Sequence, residues 1–110
     1  MEPVKKILEI YTESNPNPNS LKFVVDFVLV PEGSVDFPDA QSATACPLAL
    51  DLFRFNFVKR VFITSNFITV TKTDEMEWIE IAPMIKSLIK ADLEEGKPLF
   101  KEKINLERRW

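Results

Sequence analysis

With 110 residues, 45% of them hydrophobic and 28% charged, the chain has the size and composition of one folded domain rather than of a disordered segment. A formal net charge of −3, no histidine and a single cysteine exclude most site chemistry. Zinc, iron and copper sites are built on Cys and His, iron–sulfur clusters normally take four thiolates, and a general phosphate-backbone binder wants clustered Lys and Arg.

One thiol leaves no disulfide within the chain, which fits a reducing compartment. Met1–Ile7 carries an early acid and no long apolar core, so it reads as neither signal nor transit peptide. No apolar run approaches the roughly 20 residues of a membrane helix. The expectation is a cytoplasmic domain that binds neither membrane nor nucleic acid.

In chain order, residues 4–12 alternate as a strand, with Ile7 and Tyr11 on one face and Leu8 and Ile10 on the other. Asn15-Pro16-Asn17-Pro18-Asn19-Ser20 follows. Its prolines hold φ at about −65° and push the preceding residues into extended geometry, while Asn and Ser bond to their own backbone. A stiff loop results.

Residues 21–30 predict the longest strand, with Leu21, Phe23, Val25, Phe27 and Leu29 on the core face. Pro31-Glu32-Gly33-Ser34 predicts a turn, and Val35–Phe37 a short edge strand. Residues 40–55 predict two helical pieces. Asp39 or Ser42 caps the first. Pro47 opens the second, where proline is favoured, and Cys46 takes its N-cap position. Leu48, Leu52 and Phe53 form its apolar stripe.

Residues 58–64 and 67–73 predict a hairpin joined by Ser65-Asn66, Asn tolerating the positive φ such turns need. That register sets Ile63 opposite Ile68, Val61 opposite Val70 and Phe62 opposite Thr69. A helix is predicted from about 77 to 95. Asp74 and Glu77 have capping-box spacing, and Trp78, Ala82, Ile85, Ile89 and Leu93 follow the helical period. Pro83 predicts either a kink or a start near 80. Gly96 and Pro98 predict the stop.

The order β-β-(β)-α-β-β-α predicts a small two-layer α+β domain over 1–96. Its mainly antiparallel sheet carries two helices on one face. Residues 97–110 read as a charged, linker-like tail.

Little here supports catalysis. Cys46 has no histidine to activate it, and although a helix N-terminus can lower a thiol pKa, cysteine is often a small buried residue. Asp36 with Asp39, and Glu94 with Glu95, read as solvated surface. Gly33 and Gly96 begin no phosphate-binding pattern. Phe55-Asn56-Phe57-Val58-Lys59-Arg60 mixes aromatic and basic residues, as nucleic-acid platforms do, but reads as a helix exit into a strand. The exposed feature that looks specified is the loop Asn15, Pro16, Asn17, Pro18, Asn19. It reads either as a recognition surface or as a simple chain reversal.

Three segments carry a resemblance. Glu13–Phe23 resembles the T-P-N-P-N-S-L-K-F signature of the N-terminal domain of Nfu-type (NifU-like) iron–sulfur cluster carriers. Cys46–Phe53 is similar to that family's S-P-L-A-x-x-L-F helix, and Val61–Lys72 to its V-F-x-x-x-D-F-I-T-V-x-K hairpin. Trp78 and Pro83 stand where an E-W-x-x-x-x-P segment puts them. The likeness covers roughly residues 10–95. Asn15 replaces the usual Thr, and Cys46 stands where Ser is common.

The resemblance implies a non-enzymatic scaffold or carrier module that docks client apoproteins or assembly proteins. The cluster would then be held by a following C-terminal C-x-x-C domain rather than by this chain. The alternative is direct iron or cluster binding through Cys46 in a dimer, and a third is an enzyme with Cys46 as thiol nucleophile.

Overall fold

The computed structural model describes residues 9–95. Five strands form one antiparallel sheet: β1 (Tyr11–Ser14), β2 (Ser20–Val24), β3 (Val30–Phe37), β4 (Val58–Ser65) and β5 (Phe67–Lys72). Their spatial order is β1-β2-β5-β4-β3. A short 3-10 helix, Ala40–Ala43, leads to α1 (Pro47–Phe53), and α2 (Trp78–Glu94) closes the described chain. The expected α+β class holds.

The sheet's inner face follows from strand register. Phe23 pairs with Ile68, Ile68 with Ile63, and Ile63 with Val35. One step along, Leu21, Val70, Val61 and Phe37 line up the same way. Because alternate side chains share a face, these two rows make one apolar surface. On α2, Ile81, Ile85 and Ile89 recur at four-residue spacing and are fully buried in the same core as Leu48, Ala49 and Leu52 of α1. Each buried Ile or Leu among them contributes roughly 1.5–3 kcal/mol by leaving water. The opposite rows, such as Asp36, Phe62, Thr69, Lys22 and Glu13, turn outward. Among them are the Arg60–Asp36 and Lys22–Glu13 ion pairs.

The hairpin register is as read from the sequence. The positive φ, however, falls on Ser65 (50°) rather than on Asn66. Asn66 has another task. Its carbonyl accepts from the Val25 N–H at 2.9 Å, and its Nδ2 donates to the Val25 carbonyl at 3.1 Å.

That contact explains the main correction. The expected long strand over 21–30 ends at Val24, and Phe27 is 44% exposed instead of core. β2 lies beside β5, but β3 lies on the far side of β4, so the chain must cross the tip of the β4–β5 hairpin between them. Residues 25–29 make that crossing, with Leu29 N–H donating to the Ser65 carbonyl at 2.7 Å.

The expected turn at Pro31–Ser34 is instead a bulge inside β3. The register jumps from Val30 opposite Ser65 to Ser34 opposite Thr64. Gly33 sits there at φ 74°, with nothing within 4 Å of where a Cβ would lie, so backbone conformation alone calls for glycine. Val35–Phe37 does form an edge strand, as the last part of β3.

Near the termini the expectations shift. The strand predicted over 4–12 appears as β1, Tyr11–Ser14, and Ile7 and Leu8 lie outside the described residues. Asp39 caps the 3-10 helix in a capping box with Ser42. Pro47 opens α1, with Cys46 at its N-cap position. The Asp74–Glu77 box does not form. Glu77 is the N-cap residue of α2 without a side-chain bond, and Asp74 accepts a hydrogen bond from Asn19 instead.

α2 starts at Trp78, not near 80, and Pro83 lies inside it. Pro83 and Ile79 are both exposed, so the backbone group freed by the missing N–H lies on the solvent side, where water serves it. The predicted stop at Gly96 and Pro98 and the tail over 97–110 lie outside the described residues. No described helix is long and apolar enough to cross a membrane.

Candidate functional site

The Asn15–Asn19 loop joins β1 to β2 and is ordered by its own side chains. Asn15 Oδ1 accepts from the Asn17 N–H at 3.1 Å, and Asn17 Oδ1 accepts from the Asn19 N–H at 2.9 Å. Two successive Asx turns thus follow from Asn at alternate positions, with prolines fixing φ between them. Ser20 N–H donating to the Asn17 carbonyl at 3.0 Å closes the reversal.

The base of the loop is tied to the core. Asn19 Oδ1 accepts from Lys72 Nζ at 3.0 Å, and Asn19 Nδ2 donates to Asp74 Oδ1 at 2.6 Å. Lys72 N–H donates to the Asn19 carbonyl at 2.8 Å, and Trp78 Nε1 donates to the Pro18 carbonyl at 3.0 Å. Lys72 is buried. Its ammonium also donates to the Thr73 carbonyl at 3.2 Å and stands 5.6 Å from the Trp78 ring centroid. Trp78 meets Phe23 edge-on at 6.1 Å. The loop is therefore clamped by β5 and the first turn of α2, while Pro16, Asn17 and Pro18 stay exposed at its tip.

Cys46 is placed very differently. Its exposure is 0%, among the core side chains. Burial pushes its thiol from about 9 up to about 11, outweighing the opposing pull of the Ala49 and Leu48 backbone N–H groups. The unfolded thiol therefore loses its proton before the folded one does, so stability falls as pH rises from 9 to 11. At pH 10 the loss attributable to Cys46 is expected to be about 1 kcal/mol. Urea midpoints of wild type and Cys46→Ser should diverge accordingly between pH 8 and about 10. Parallel pH profiles, or fast alkylation of the folded chain at neutral pH, would contradict this placement.

Residues 10–96 match the family described as scaffold protein Nfu/NifU, N terminal. The chain belongs to the Nfu/NifU N-terminal family. Nfu relatives agree over most of its length. NifU-like protein 5, mitochondrial, of Arabidopsis thaliana is 40% identical over 96 residues, 87% of this chain and 35% of that protein. The NFU1 iron-sulfur cluster scaffold homolog, mitochondrial, of Homo sapiens is 42% identical over 94 residues, 84% of this chain and 37% of that protein. The chain thus spans about a third of the length of the curated relatives it matches.

In structure, the solution NMR structure of a NifU-like protein from Saccharomyces cerevisiae has the same fold. Its TM-score is 0.78 at 24% identity, covering 94% of this chain and 92% of that one. The crystal structure of a Staphylococcus aureus protein follows at TM-score 0.63 and 20% identity, covering 74% of this chain and 98% of that one. The expected cytoplasmic location is corrected by the Arabidopsis thaliana and Homo sapiens relatives, which are named as mitochondrial proteins. The amino-terminal composition on which that expectation rested does not fix a compartment.

Sequence reading found the Nfu loop but missed its clamp of Lys72, Asp74 and Trp78. Two signals pointed to it. Alternation along β5 puts Lys72 on the same face as Ile68 and Val70, and a cation on a core face needs partners. A half-buried Trp also needs an acceptor for its indole N–H. Asn19 itself is a clamp residue with both ends of its amide bonded, so its side chain is not offered to a partner.

Proposed function

We propose that this domain is a non-catalytic protein-docking module of an iron–sulfur cluster scaffold or carrier. The Asn15–Asn19 loop contacts client apoproteins or assembly proteins, and the cluster is held by a separate C-x-x-C domain. Family membership and the scaffold names of the relatives support the setting. The observation that carries the docking role is the loop's construction. Its base is locked to Lys72, Asp74 and Trp78, while its tip presents Pro16, Asn17 and Pro18 to solvent. A segment ordered before it meets a partner loses little entropy on docking.

The same geometry counts against Cys46 as a cluster ligand in a dimer or as a thiol nucleophile. Both roles need an accessible thiolate, and Cys46 is enclosed in the core with its pKa raised.

Asn17→Asp is the discriminating variant. It keeps the Oδ1 that accepts from Asn19 N–H and replaces the outward amide nitrogen by a charged oxygen. Titration calorimetry against apo iron–sulfur proteins from the same cell should show affinity reduced about tenfold, with the urea midpoint unchanged. Equal affinity of wild type and variant for a client that binds would remove the loop from the interface.

A further inference from the structure

The outer side of α2's first two turns is unexplained by folding. Ile79 is 85% exposed and Met84 45%, and Pro83, also exposed, lies one turn beyond Ile79. Ile79 and Pro83 are four residues apart and share one side of the helix; Glu80 and Met84 form the adjoining row, between them and the core-facing Ile81, Ile85 and Ile89. An isolated exposed aliphatic needs no explanation, but an exposed Ile79–Pro83 pair with Met84 in the next row does.

This strip is bordered by exposed Asp74, Glu75, Glu77 and Glu80. None of the Lys22–Glu13, Arg54–Asp51 and Arg60–Asp36 ion pairs involves these four. The nearest cation in sequence, Lys72, is buried and committed to Asn19 and the Thr73 carbonyl. The next along α2, Lys86, lies two turns past Ile79. Acids near a helix N-terminus suit the helix dipole, which accounts for Glu80. It does not account for the apolar strip. Before the helix, Asp74 accepts from Asn19 Nδ2 and Glu75 from Thr73 Oγ1, bonds that leave both carboxylates charged and exposed, while Glu77 makes no side-chain cap bond. The strip also adjoins the docking loop, since Trp78, next to Ile79, holds the Pro18 carbonyl.

We infer that Ile79, Pro83 and Met84, with the rim Asp74, Glu75, Glu77 and Glu80, dock a basic, apolar-bearing segment of a partner protein. An apolar side chain of the partner covers Ile79, and its Lys or Arg side chains meet the carboxylates. Charge complementarity selects this occupant over an acidic or neutral one, and a second copy of the same face would bring like charges together. The inference rests on the docking reading above and extends the surface from the loop to α2.

The test is fluorescence anisotropy with a short labelled peptide that alternates Leu with Lys and Arg, against a peptide with Glu in place of every cation. The basic peptide is expected to bind the full chain saturably, and the acidic one not at all. Ile79→Ser should weaken binding about tenfold, and Glu77→Gln with Glu80→Gln should flatten its salt dependence. Binding of equal strength by Ile79→Ser would overturn the inference, leaving only diffuse charge attraction. Self-association of the chain that Ile79→Ser abolishes would also overturn it, making the strip a contact between copies. Client titrations separate the two proposals. A client that binds wild type and Ile79→Ser alike removes α2 and leaves the docking reading in place. Failure of wild type to bind any client removes the docking reading itself.

Discussion

Replacing Trp78 by alanine is expected to cost about 3 kcal/mol of folding stability, a large share of what a domain of this size has. The indole packs edge-on against buried Phe23, lies beside the Lys72 ammonium and donates to the Pro18 carbonyl. Alanine removes all three contacts and opens the seam between α2 and the loop. Trp78→Phe keeps an aromatic ring and loses only the donor, so its cost should be about 1 kcal/mol. Urea unfolding of both variants checks the ranking. Equal losses would mean that the hydrogen bond, rather than the ring, holds the seam.

Asn19→Ala should cost about 2–3 kcal/mol, although Asn19 is only half-buried. The cost arises at its partner. Lys72 is buried, and without Asn19 Oδ1 its ammonium keeps the Thr73 carbonyl and the Trp78 ring. Asp74 loses a charge-assisted bond in the same step. The backbone bonds of Asn19 survive, so the loop should keep its path while loosening at the base. Asn15→Ala, which removes only the acceptor for the Asn17 N–H, should cost less than half as much. If Asn19→Ala proves neutral, the clamp is not what orders the loop.

What the sequence made legible was local. Pairs such as Ile63 with Ile68 follow from alternation on either side of a two-residue turn, and Pro47 after Cys46 marks a helix start by its own geometry. Where two local signals competed for one residue, tertiary structure decided. Asp74 had the spacing of a helix cap, yet it serves Asn19, 55 positions earlier. Phe27 had the alternation of a core residue. The requirement that the chain cross the hairpin tip to reach the far side of β4 put it at the surface. No period in the sequence encodes that crossing, because it depends on which strands become neighbours. For the candidate site the division is the same. The stiff tip of the loop could be read from its Asn and Pro residues, whereas its anchorage joins residues 53 to 60 positions apart.

The central proposal, that this domain works by docking proteins and leaves the cluster to another domain, is tested most directly by anaerobic reconstitution with iron and sulfide. Bound iron and the visible spectrum are read after desalting. No retained iron and no visible absorption are the predicted result, identical for wild type and Cys46→Ser. A stoichiometric cluster on wild type that vanishes in Cys46→Ser would contradict the proposal, because buried Cys46 would then have to come to the surface as a ligand.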